Sequence, residues 1–175
     1  MGYDKNKKIA EGGYRNFMDS TKLKHLKQFT RSLIGKAKQN LEKDKELSSV
    51  VFFMLSDDVH ILPVSLKTEQ DRQILEFTIK VMVKELKPMA VVFLTDGWSV
   101  QSKTGVIEGT PSTHPERKEC ISISVVTKTY RSWGLLQFYS RKDGRIHFEE
   151  LQEVESLFCG FIDDAFVENR NKTVH

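Results

Sequence analysis

Four side chains in one stretch have the types that acid–base and anion chemistry needs. They are Asp96, His114, Arg117 and Glu119, within DGWSVQSKTGVIEGTPSTHPERKE at 96–119. An imidazole exchanges its proton near neutral pH, and a guanidinium grips a carboxylate or phosphate through two parallel hydrogen bonds. Together they would suit hydrolysis of a phosphate- or carboxylate-bearing substrate. His114 would be the acid/base, Arg117 the anion clamp, and Asp96 or Glu119 a second carboxylate. The same residues have a plainer reading. Asp-Gly is a common turn pair, so Asp96-Gly97 can be a turn. Arg117 and Glu119 lie two apart where a strand begins, so they face one side. An Arg117–Glu119 or Arg117–Asp96 ion pair would then clamp a structural loop.

A second set could hold a ligand. Trp98 either stacks on it or covers the sheet edge. Arg131, Trp133 and Arg141, with Tyr130 and Tyr139, interleave cations and rings. That pattern suits base stacking and phosphate contact, and equally suits ordinary cross-strand cation–ring packing. A metal centre needs three or four converging N, O or S ligands. His60, Asp96, His114, Glu119 and His147 are the available donors, but they show no metal-binding spacing, so no metal is expected. P-loop, dinucleotide-fingerprint and nucleophile-elbow motifs are absent, and no cofactor is expected. Cys120 and Cys159 sit in apolar patterns and read as buried reduced thiols.

These groups need a frame. The connection 96–119 leaves an apolar strand, Met89 to Thr95, and enters another, Cys120 to Val126. A structureless connection longer than about 12–15 residues is usually a binding loop, a lid or disorder. Upstream, Leu23, Leu26, Phe29, Leu33, Ile34, Ala37 and Leu41 recur at helical steps. Ser20 or Thr21 would cap that helix, and Lys24, Lys27, Arg31, Lys36 and Lys38 line its outer face. Two strands, Ser49 to Leu55 and Val59 to Val64, read as a hairpin, with Pro63 near a strand end or on an edge. Thr68 opens a helix whose apolar face gathers Ile74, Leu75, Thr78, Val81, Met82 and Leu86, widened by Phe77 and Ile79. Pro88 ends it.

The strand at Glu119 to Arg131 alternates and reads as half-covered. Trp133 to Ser140 and Arg145 to Phe148 follow, joined by the Asp143-Gly144 hairpin signal. A last helix spans about Glu150 to Val167. The order α-β-β-α-β-β-β-β-α predicts an α+β fold: a mostly antiparallel five- to six-stranded sheet with helices packed on it. The expected organisation is a flexible arm at 1–19, one domain at 20–168 and a flexible tail at 169–175.

The chain has 175 residues and a formal net charge of +3, with 39% hydrophobic and 29% charged residues. Its mean hydropathy is −0.41. No apolar run approaches the roughly 18 residues of a membrane helix, and the N-terminus has no apolar signal core, so a cytoplasmic location is the expectation. Residues 1–45 carry twelve Lys/Arg against five Asp/Glu, a net of +7. That excess suits an anionic partner, nucleic acid included, though a solvated helix face explains it as well. The runs Val50 to Leu55 and Met89 to Leu94 need burial on both faces. If helices cannot supply it, a symmetric homodimer would.

One resemblance can be drawn from these residues. A strand leads to an acidic residue and a Trp (Asp96, Trp98), with Asp96-Gly97 in place of a Glu directly before the ring. Then come P-S-x-H-P-x-R-x-E (Pro111 to Glu119) and a β-rich half. This resembles small uncharacterised microbial and phage proteins, which bring no activity to transfer. The leading expectation is a binding or interaction module whose 96–119 loop recognises a protein or an anionic ligand. The hydrolase is the alternative, and nucleic-acid binding through the basic first helix is the third reading.

Overall fold

The computed structural model describes residues 18–100, 113–155, 162 and 164–166. Helix α1 runs Ser20–Asp44. Its N-cap is Asp19, whose carboxylate accepts from the Lys22 N–H at 2.8 Å, so neither Ser20 nor Thr21 caps it. The charged oxygen of Asp19 satisfies a first-turn donor and meets the positive helix end. Lys45 closes the other end in a left-handed conformation, donating to the Leu41 carbonyl. Helix α2, Glu69–Leu86, begins on a full capping box: Asp71 N–H bonds the Thr68 hydroxyl, and Thr68 N–H bonds the Asp71 carboxylate.

Seven strands form one antiparallel sheet: β1 (Ser49–Met54), β2 (Val59–Val64), β3 (Ala90–Ser99), β4 (Lys118–Thr127), β5 (Trp133–Lys142), β6 (Arg145–Phe148) and β7 (Gln152–Val154). The spatial order is β2-β1-β3-β4-β5-β6, with β7 also on β5. The α+β architecture thus matches the sequence expectation, with one strand more. The extra strand is Gln152–Val154, which takes the start of the helix expected from about Glu150 to Val167. Helical backbone is seen at 162 and 164–166 instead. Between β6 and β7 the edge is stitched by the buried Gln137, whose Nε2 donates to the Glu149 carbonyl at 2.6 Å.

Helices cover both faces of the sheet. On one side Leu26, Ile34, Ala37 and Leu41 of α1 pack on Phe52, Val92, Leu94, Ile121, Ile123, Val125, Leu135 and Tyr139. On the other, Leu75, Ile79 and Val83 of α2 pack on Val51, Phe53, Val91, Phe93 and Val126, joined by Ile162 and Phe166. Both apolar runs are therefore buried within one chain, and the burial argument for a dimer loses its premise. Strand β4 is buried on both faces rather than half-covered: Cys120, Ser124 and Val126 are as sheltered as Ile121 and Ile123. Helix α2 departs from its expected single face, because Ile74, Phe77 and Val81 point away from the sheet at 56%, 70% and 40% exposure.

Strand β2 is a sheet edge, and Pro63 lies on it as expected. The turn bond from Leu55 N–H to the Asp58 carbonyl fixes which groups face inward. By alternation, His60, Leu62 and Val64 address β1, while Val59, Ile61 and Pro63 address solvent. Pro63 has no N–H to offer, and the Val59 N–H is taken by the Asp58 carboxylate at 2.7 Å.

Candidate functional site

The β3–β4 register assembles the site. Asp96 pairs with Ile121 and Trp98 with Glu119, so both strands run on through the expected start and end of the loop. Asp96-Gly97 is therefore mid-strand, not a turn, and Gly97 has no positive φ. Residues 101–112, the middle of the expected loop, lie outside the described residues. Successive side chains alternate between faces. Asp96, Trp98, Glu119, Tyr139 and Arg141 consequently share the face that α1 covers, at the end where α1 stops.

There the polar groups form a connected network. Tyr139 donates its hydroxyl hydrogen to Asp96 Oδ1 at 2.8 Å, with Glu119 Oε1 at 3.4 Å from the same oxygen. Arg141 Nε donates to Glu119 Oε1 at 3.3 Å, and Arg141 reaches the Lys45 carbonyl at 3.2 Å. That carbonyl lies at the negative end of α1, where a cation is favoured. Burial pushes the Asp96 carboxyl above its ordinary value, helped by the Glu119 charge and opposed by the Tyr139 hydrogen bond. Burial raises the Tyr139 phenol too, reinforced by its bond to Asp96. It also lifts the Cys120 thiol to about 12, a free, buried and inert cysteine. Cys159 lies outside the described residues.

The other expected site residues are placed as follows. The Arg117 guanidinium sits over the Trp98 ring at 4.7 Å, and Trp98 is 44% exposed. His114 is turned onto its own loop: its Nδ1 accepts from the Glu116 N–H at 3.1 Å, and its carbonyl accepts from Arg117. Trp133 begins β5 at its opposite end, about 27 Å from Arg141 at strand rise, and Arg131 lies just before it in the chain. Trp133 is buried under Lys27, 5.2 Å from its ring centroid. Together with Arg131, Glu153 and Glu155 it lines a cavity of about 250 Å³. A larger cavity, about 420 Å³, lies between α1 and the β1–β2 turn.

The structure thus gathers Asp96, Trp98, Arg117, Glu119 and Arg141 at one end and leaves Arg131 and Trp133 at the other. Sequence reasoning set Tyr139 among the rings that could stack on a ligand or pack against cations; the structure instead has it join the two carboxylates. The link is the β4–β5 register, which sets Tyr139 opposite Glu119; the Asp143-Gly144 turn aligns β5 with β6 only and carries no signal of it. Among the described residues, no three His, Cys, Asp or Glu side chains converge as a metal site. Among them, too, no helix is long and apolar enough to cross a membrane. No curated protein and no solved structure matches the chain. Residues 5–161 match the family model described as Bacteriophage lambda protein ea47, and the chain belongs to that family.

Proposed function

We propose that this ea47-family chain is a binding module that recognises a protein partner at the end of its sheet, around Trp98 and Arg117. The observation that carries this reading is the division of labour there. Asp96 and Glu119 are already engaged by Tyr139 and Arg141, while the Trp98 ring stays 44% exposed beneath the Arg117 guanidinium. Trp and Arg are the side chains most enriched where interfaces concentrate their binding energy. The network below them holds the strand ends rigid, which lowers the ordering cost of binding.

The hydrolase reading draws support from the raised Asp96 carboxyl, since displaced acidities gather at catalytic sites. Against it, His114 spends Nδ1 on its own loop. Nucleic-acid binding is supported less, because Lys27 and Arg31 on the basic helix both bond Glu153, at 2.7 and 3.0 Å.

A photo-crosslinking amino acid at position 116, exposed beside Arg117, expressed in bacterial cells, tests the proposal with Trp98 intact and Gln39 on exposed α1 as control position. A discrete adduct from 116 but not 39, lost when Trp98→Ala or Arg117→Glu is added, is the expected result. Alongside it, any turnover of p-nitrophenyl phosphate or acetate should be unchanged by His114→Ala. Turnover that vanishes in His114→Ala, or the lack of a position-specific adduct, overturns the reading.

A further inference from the structure

Among the described residues, the outward face of α2 exposes apolar side chains in a helical register. Ile74, Phe77 and Val81 are 56%, 70% and 40% exposed. At about 100° per residue they fall in an arc of about 60°, nearly opposite the core residues Leu75, Ile79 and Val83. Their 3-4 spacing is that of a coiled-coil seam, with β-branched Ile74 and Val81 at one seam position and Phe77 at the other. Gln70 and Lys84 continue the seam as polar ends.

The flanks of the seam say what covers it. One side carries Asp71, Thr78 and Glu85; the other carries Gln73 and Lys80. In an antiparallel pair, each flank meets its own copy, which sets Asp71 against Glu85. In a parallel pair, opposite flanks meet, and Lys80 of one copy faces Glu85 of the other, twice by symmetry. Within one chain Lys80 lies 3.1 Å from Glu76, one turn back, and its flexible stem can serve both carboxylates. Within a parallel pairing, β-branched residues at the first seam position are those found in two-stranded assemblies.

We propose that α2 is a self-association surface through which two copies of this chain pair in parallel, with Phe77 at the centre. The seam is only three apolar residues long, so the dimer is weak, reversible and sensitive to salt. It lies on the α2 side of the sheet, whereas the Trp98 site lies on the α1 side, so the two proposals stand independently.

Sedimentation equilibrium of the full chain, across the micromolar range and at low and high salt, reads the outcome. Wild type should show a monomer–dimer equilibrium that weakens with salt. Phe77→Asp should weaken association by about tenfold or more while its circular dichroism and melting stay native, since that side chain is 70% exposed. Lys80→Glu should weaken the dimer severalfold, and Lys80→Glu with Glu85→Lys should restore it. A wild-type chain that is monomeric throughout overturns the proposal, as does a dimer indifferent to Phe77→Asp. Failure of the double charge reversal to restore association overturns the parallel arrangement.

Discussion

Half-buried Asp96 has a tyrosine hydroxyl as its closest partner and a second carboxylate nearby, so its charged form is held at a cost. Its folded pKa lies above the unfolded one. The stability contributed by its protonated form is therefore full below the unfolded value, about 3.9, and is lost as pH rises through the folded one. Asp96→Asn keeps an acceptor for Tyr139 and removes the charge. Its melting temperature should exceed wild type at pH 7, with the gain disappearing below about pH 4, as thermal scans from pH 3 to 7 would record. Tyr139→Phe, by contrast, strips Asp96 of its donor and should cost about 1–2 kcal/mol in urea denaturation at pH 7. The carboxylates and the Trp98–Arg117 neighbours could be picked from the sequence because their residue types are unusual for a strand end. Tyr139 was noticed only as a ring among cations, since its bond to the carboxylates follows from a register that shows what lies opposite. His114 shows the converse: its type drew attention, while its geometry serves the turn.

Helix α1 is fastened to the far edge of the sheet by one carboxylate, Glu153 on β7, shared between Lys27 and Arg31. The Lys27 hydrogen bond, then the two positive charges, hold the Glu153 carboxyl below its ordinary value. Such a group stabilises the fold above its unfolded acidity, and that contribution fades as pH falls through the folded value. Glu153→Gln should cost about 0.5–1 kcal/mol at pH 7, the upper range for a solvent-screened pair, and progressively less as pH falls into the acid range, by chemical denaturation across that range. The helices α1 and α2, the β1–β2 hairpin and the β5–β6 hairpin were legible because period and turn chemistry agree in each. Two failures have physical causes. Strand β7 is three residues long, too short for alternation to outweigh a competing i, i+3 spacing. Helix α2 carries apolar residues on two faces, and periodicity records that they recur without saying which face meets the sheet.

At the scale of the molecule, a sheet covered on both faces by its own helices still has two sides along which it could grow. One is β2, which presents Val59 at 37% and Ile61 at 61% exposure. An open strand of this kind is a template for other chains. Its outward donors, however, are almost all withdrawn, one by proline chemistry and one by the Asp58 carboxylate, which leaves Ile61 between two blocked neighbours. Pro63→Thr would return a donor and a strand-forming side chain to that row. Its melting temperature should change little, while turbidity and amyloid-dye fluorescence should rise with time at concentrations where wild type stays clear. Because the β2 side and the β6/β7 side are not copies of one surface, strand addition between them would be head-to-tail, and unless its rotation closes a ring it runs on as an open filament. The ring nitrogen of Pro63 and the Asp58 carboxylate thus act together as a chain terminator, blunting this edge against propagation into filaments.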